Sequence, residues 1–364
     1  MKRFICFIIL LFVFAPCVCA ADDEGLYDDF DFSALYEAMG KDVGEKLGKV
    51  EELNTESISP KGLISYALSA LSLLIKPFLG GLSLILAFLC VGALVRRVCS
   101  GFTLCSTDRC VSYAVILALS LIVYKEISDD LRAVSELLSS VQGYYASAVP
   151  IMTGMYALGG NTALAAANGA CSTVVLSVAT LICKSIVLPA SKLCFALSLA
   201  SFDTVKLQAV SKAIAGFASK LLAITMGLVC SGMLLTTKLA ASADGVGIRV
   251  LKFAASSFVP IIGGAMSEAT ATLTESVRVI RSGFGIFGIA AIVYMILPVI
   301  LRVWAGKLSL SVAAGFADML DSKKESAFLK ELSSVYMISL SAVIGICLCL
   351  ILALTIFVNT AAVR

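Results

Sequence analysis

From Pro77 to Val95 this chain carries no charged residue, and from Ser333 to Val358 it again carries none. A run of about 18 or more apolar residues is long enough to cross a hydrocarbon core of roughly 30 Å. Further apolar stretches lie near Val111–Tyr124, Thr162–Cys183, Ile186–Phe202, Leu221–Thr236, Phe253–Met266 and Gly283–Val303. One compact aqueous core could not bury them all. Composition agrees: 59% of the 364 residues are hydrophobic and 15% charged, with a mean hydropathy of +0.99, where a soluble domain carries roughly 25% charged residues. The chain therefore reads as an all-α polytopic membrane protein with about seven to nine membrane segments, some of them broken or re-entrant.

The same composition excludes several kinds of function. Histidine is absent, which removes Ser-His-Asp and Cys-His catalysis, histidine-ligated metals and histidine proton relays together. Of the 13 cysteines, three lie in the N-terminal segment and most of the rest sit within apolar runs, where a thiol packs as a small hydrophobe. Cys99, Cys105 and Cys110 share one short loop, but their spacing matches no zinc pattern and no fourth ligand is near. No phosphate-binding GxxxxGK[ST] loop is present. The expectation is no enzyme, no cofactor and no metal. A formal charge of +3 without a basic block gives no sign of nucleic acid as a partner.

Lys2 and Arg3 precede an apolar run from Phe4 to Phe14, which Pro16 and the small residues up to Ala20 bring to an end. That is the form of a secretory signal peptide cut after Ala20. Residues 1–20 are read as that leader, and residues 21–60 as an acidic extracytoplasmic region. From Asp22 to Pro60 there are twelve Asp or Glu against three Lys. Within it Phe32, Leu35, Tyr36, Met39, Val43, Leu47 and Val50 recur at helical spacing and form one narrow apolar stripe. Such a stripe needs a cover: the protein's own membrane body, the lipid surface or a partner.

Residues 61–140 read as the first two spans with their amphipathic helices. The stretch from Leu63 to Ile75 leads into the first span, and Lys76 at the junction can snorkel to the headgroups. Arg96, Arg97 and Arg109 make the following loop basic, hence cytoplasmic by the positive-inside rule. That agrees with an external N-terminus. After the second span, Ile127, Leu131, Val134, Leu138 and Val141 form one face, and Asp129, Asp130 and Glu136 keep the other side polar. This predicts an external surface helix.

The remainder carries signs of an internal duplication, with units at 141–245 and 246–364. Ser147-Ala-Val-Pro150-Ile-Met-Thr-Gly154 resembles Ser257-Phe-Val-Pro260-Ile-Ile-Gly263-Gly264 at an offset of 110, and Val-Leu-Pro189 and Ile-Leu-Pro298 follow at nearly that offset. Proline removes a backbone donor and glycine loosens a helix, so these positions predict interrupted segments. Paired interruptions in two halves point to a lined pathway. Close packing through small residues is the plainer alternative. Lys238, Asp244, Gly245, Arg249 and Lys252 form a charged turn that reads as a membrane-edge cluster, and Glu268 follows the second Pro-Gly element as a candidate interfacial cap or buried carboxylate.

The stretch from Thr236 to Gly264, with Lys238, Asp244-Gly245-Val-Gly247, Arg249, Lys252 and Pro260, resembles the central motif of the stage III sporulation protein AE family. The leader, the acidic external region and the polytopic body fit that family in layout. The resemblance implies a multi-pass subunit of a channel-like complex between mother cell and forespore. Its companions there are a secretion-type ATPase, small membrane subunits and ring-forming proteins, besides membrane lipid. It also implies the mother-cell membrane around the forespore as the location. The alternative is a stand-alone secondary transporter for a small solute.

Overall fold

The computed structural model describes residues 31–48, 60–100, 107–158, 173–174, 176–200, 209–229, 231–232 and 263–359. Among the described residues there is no strand. The elements are α1 (Ser33–Met39), α2 (Lys41–Leu47), α3 (Pro60–Ser100), α4 (Thr107–Leu158), α5 (Leu176–Ala200), α6 (Ala209–Val229), α7 (Gly263–Met319) and α8 (Lys323–Asn359). Helices α3 to α8 are each long and apolar enough to cross a membrane. The polytopic all-α reading holds.

Two features differ from expectation. The amphipathic stretch before Pro77 and the first span form one helix, α3, which runs on through the proline. The second span and the surface helix after it are likewise one element, α4, whose 52 residues give a length of about 78 Å at roughly 1.5 Å per residue. No glycine or proline separates the apolar and amphipathic parts of α4, and neighbouring helices cover the amphipathic part. The helix therefore continues well past the thickness of a bilayer.

Side-chain contacts fix the topology. Arg96 on α3 faces Ser112 on α4, and a Cβ at Gly92 would meet Val115, so α3 and α4 run antiparallel. Arg302 meets Asp130 while Gly288 faces the Tyr144 hydroxyl, which makes α7 antiparallel to α4. α7 and α8 form a tight hairpin through Ser311–Ser333 and Asp318–Lys330. Its turn closes with the Ser322 amide on the Ala317 carbonyl (2.9 Å) and the Asp321 amide on the Asp318 carbonyl (3.1 Å). This is a Schellman closure, with Asp321 at φ 55° in the left-handed place that glycine usually fills.

The core follows the seams of α4, α7 and α8, where Leu119, Val134, Tyr144, Phe287, Ala291, Leu332, Ala342 and Leu354 are fully buried. Cys183, Cys194, Cys347 and Cys349 lie in the same interior, packing as small hydrophobes. On the far side of α8, α5 and α6 are tied in through the Cys194 thiol on the Ser211 carbonyl and the Cys349 thiol on Met226 sulfur.

The protein's own body covers the N-terminal stripe from Phe32 to Leu47, and Val50 lies outside the described residues. Leu35, Met39 and Leu47 are buried, the Phe32 ring lies 6.2 Å from Phe284, and Tyr36 meets Phe287 edge-on at 6.3 Å. Asp31 starts α1 by accepting the Ser33 amide at 2.9 Å, and that contact with Ser33 holds its carboxyl below the ordinary 3.8. Gly40, at φ 82°, turns the chain from α1 into α2 in a conformation that a side chain would strain.

Candidate functional site

Two polar layers cross the bundle, each assembled from helices far apart in sequence. In the first, Arg96 of α3 reaches the α7–α8 turn. Its Nη2 lies 2.9 Å from Glu325 Oε1 as an ion pair without hydrogen-bond alignment, and its Nη1 donates to Glu325 Oε2 at 3.2 Å. Nη2 also donates to Ser322 Oγ at 2.7 Å, and Nη1 to Ser112 Oγ at 3.5 Å. The Glu325 side chain has no exposed surface (0%). A buried acidic group needs a partner of opposite charge beside it, and here the guanidinium approaches it with two nitrogens.

The second layer centres on Asp130 of α4. Arg302 Nε of α7 donates to Asp130 Oδ1 at 2.6 Å, and the Tyr336 hydroxyl of α8 donates to Oδ2 at 2.9 Å. Glu126 stands one helical turn before Asp130, and a Cβ at position 81 of α3 would collide with its carboxylate. Gly306 serves Tyr336 in the same way: a Cβ there would come within 2.7 Å of the phenol ring. Bare backbone at these two places lets the polar side chains cross between helices.

The layers stand apart by the rise from Gly81 to Arg96 on α3, about 22 Å at roughly 1.5 Å per residue. Between them lies most of the first uncharged run. The pairing of Asp130 corrects the expectation of a solvent-facing side on a surface helix, because that carboxylate is turned inward. Arg96 was legible only as a topology signal, and Glu325, Arg302 and Tyr336 were not singled out. The available clue was a charge, Arg302, closing an otherwise uncharged run.

The prolines and glycines that the sequence singled out are not gathered into one place. Pro150 and Gly154 lie inside α4, which continues through both, with Thr153 Oγ1 donating to the Pro150 carbonyl at 2.8 Å. Pro298 lies inside α7. Its missing amide would have served the Tyr294 carbonyl, and the Tyr66 hydroxyl from α3 bonds that oxygen instead, at 3.3 Å, with the two tyrosine rings stacked at 4.5 Å. Pro189 follows a π-helical turn, Cys183–Val187, in α5, a local register shift of the kind that accommodates a lost helical bond. Along the bundle axis Pro150 and Pro298 stand roughly 24 Å apart, counted through the Tyr144–Gly288 contact. Gly263 and Gly264 open α7, and Glu268 lies within its first turns. Lys238, Asp244, Gly245, Arg249, Lys252 and Pro260 lie outside the described residues.

Long apolar helices crossed by paired inward charges define a polytopic helical membrane protein whose polar groups tie the bundle together. The particular family is equally plain. The chain belongs to the stage III sporulation protein AE family, whose model matches residues 46–361. The stage III sporulation protein AE of Bacillus subtilis (strain 168) is 22% identical to it over 217 residues, covering 59% of this chain and 54% of that relative. The chain thus spans about half the length of the curated relative it matches. No solved structure matches. A role in sporulation follows from the family.

Proposed function

We propose that this chain is an integral membrane subunit of a channel-like, multi-protein complex joining mother cell and forespore, needed for late forespore development. The observation that carries this reading is the family match over residues 46–361, laid on a bundle whose inward charges pair with one another as in a scaffold. The chain performs no chemistry of its own. Any nucleotide-driven work comes from a companion ATPase, alongside small membrane subunits and ring-forming proteins.

The packing supports an orientation. The Arg96–Glu325 contact brings the α3–α4 connection and the α7–α8 turn to one end of the bundle, so Arg96, Arg97, Lys323 and Lys324 share that end. Basic flanks favour the cytoplasm. α1 and α2 dock far from it, beside Phe284, which fits an extracytoplasmic region delivered by a cleaved leader over residues 1–20. The family resemblance supports the mother-cell membrane around the forespore as the location.

The test is purification from sporulating cells in mild detergent, with identification of co-purifying chains. The expected result is a stable assembly containing an ATPase and other membrane subunits. A second reading, a stand-alone secondary transporter, draws on Pro150 and Pro298 inside membrane helices and the π-helical turn before Pro189. A lone chain that moves a solute in liposomes would support that reading and overturn the first.

A further inference from the structure

Between the two polar layers the outward faces of the bundle are unlike. α3 turns Leu84, Phe88, Val91 and Leu94 outward, and α4 adds Leu117 and Leu121, the latter 76% exposed. This face is built for lipid. At the same height the outward face of α8 and its seam with α7 carry Lys307, Ser311, Asp318, Lys330, Ser333 and Ser334, with Leu308 and Val312 flanking them on α7. The height follows from the layers themselves, because Glu325 belongs to the first and Tyr336 to the second, and residues 330–334 lie between them. Lys330 Nζ donates to Asp318 Oδ2 at 2.7 Å, the Ser311 and Ser333 hydroxyls stand 3.2 Å apart, and Lys307 Nζ lies 3.0 Å from Met337 sulfur.

The opposite sides of the same two helices are filled with Leu310, Ala313, Ala314, Leu329, Leu332 and Val335, so the polar stripe is the side left over once the core is satisfied. A charged side chain facing lipid at membrane depth is costly, and such residues face a bundle interior or a watery cavity instead. The serines alone could meet lipid, since Ser311 and Ser334 also bond carbonyls of their own helices. A Lys–Asp pair in the same stripe, with Met337 the one large apolar residue among the outward positions Lys330, Ser334, Met337 and Ser341, favours water.

We propose that the α7–α8 stripe is wetted at membrane depth and forms one wall of a water-filled path, with lipid held to the α3–α4 face. This rests on the conduit reading above and gives that conduit its wall. The experiment places single cysteines in the full chain at Ser311 and Ser334, and for comparison at Leu84 and Leu117, in membranes of sporulating cells. Each is exposed to a small, charged, membrane-impermeant methanethiosulfonate and read peptide by peptide, so that native thiols do not interfere. The thiolate is the reacting species and forms in water, not in hydrocarbon, so Ser311→Cys and Ser334→Cys are expected to react about tenfold or more faster than Leu84→Cys and Leu117→Cys. Equal, slow modification at all four positions would overturn the proposal. Fast labelling at positions 311 and 334 in a chain that purifies alone would keep the wetted wall and remove only the companion subunits. Slow labelling in an intact assembly would remove only the wall.

Discussion

The two polar layers use the same chemistry and are sealed to different degrees. Around Arg96 the carboxylate partner's side chain has no exposed surface, and the arginine side chain is 17% exposed; around Asp130 the side chain of Arg302 is 44% exposed. The first is a lock between the α3–α4 end and the α7–α8 turn, and losing either partner strands a charge in the interior. The second leaves nearly half of its arginine at the bundle surface, and a phenol shares the work of holding the carboxylate. Burial, not the number of ion pairs, decides what each layer contributes.

The largest effect should come from breaking the sealed layer. Glu325→Ala leaves Arg96 facing an apolar interior and is expected to cost about 3–5 kcal/mol, read as thermal unfolding in detergent. Replacing both partners by apolar residues, Arg96→Met with Glu325→Leu, should recover most of that loss. If Glu325→Ala costs no more than Arg302→Ala, the contrast between the layers is wrong. Arg302→Ala itself should cost about 1.5–3 kcal/mol at most, because it removes one charged hydrogen bond from a half-exposed arginine while Tyr336 still holds the Asp130 carboxylate. Gly306→Ala tests the same layer from its steric side: the new methyl must displace Tyr336, and a loss of about 1–3 kcal/mol is expected.

Smaller changes sharpen the account. Tyr66→Phe removes the hydroxyl that serves the Tyr294 carbonyl above Pro298, at about 1–2 kcal/mol. Pro298→Ala in that background should restore most of it, because the helix then supplies its own amide. Asp321→Gly should raise stability by up to about 1 kcal/mol, since glycine holds φ 55° without strain.

How far the sequence foretold this structure depends on how local each signal is. The uncharged runs disclosed the membrane helices because lipid selects composition over twenty consecutive residues. The stripe from Phe32 to Leu47 was legible because helical spacing is local too. Its cover was not, because Phe284 and Phe287 lie some 250 residues away. Helix ends were misplaced for a related reason: hydropathy reports contact with lipid, while α3 and α4 stop where their neighbours stop. The polar layers escaped because their partners are separated by 172 to 229 positions. Asp130 in particular sits among Asp129 and Glu136 in a stretch that reads as solvated, and only Arg302 and Tyr336 give it an inward role.

The account turns on the stretch of α3 between the two layers lying within the hydrocarbon. Fluorophores placed one at a time along α3, in lipid brominated at mid-chain, measure that depth directly once native thiols are replaced. Quenching should peak at Leu84, Phe88 and Val91 and fall away at Val98 and at Leu68, which lies well beyond Lys76. A maximum at Leu68 would place the hydrocarbon outside the layers and contradict the account.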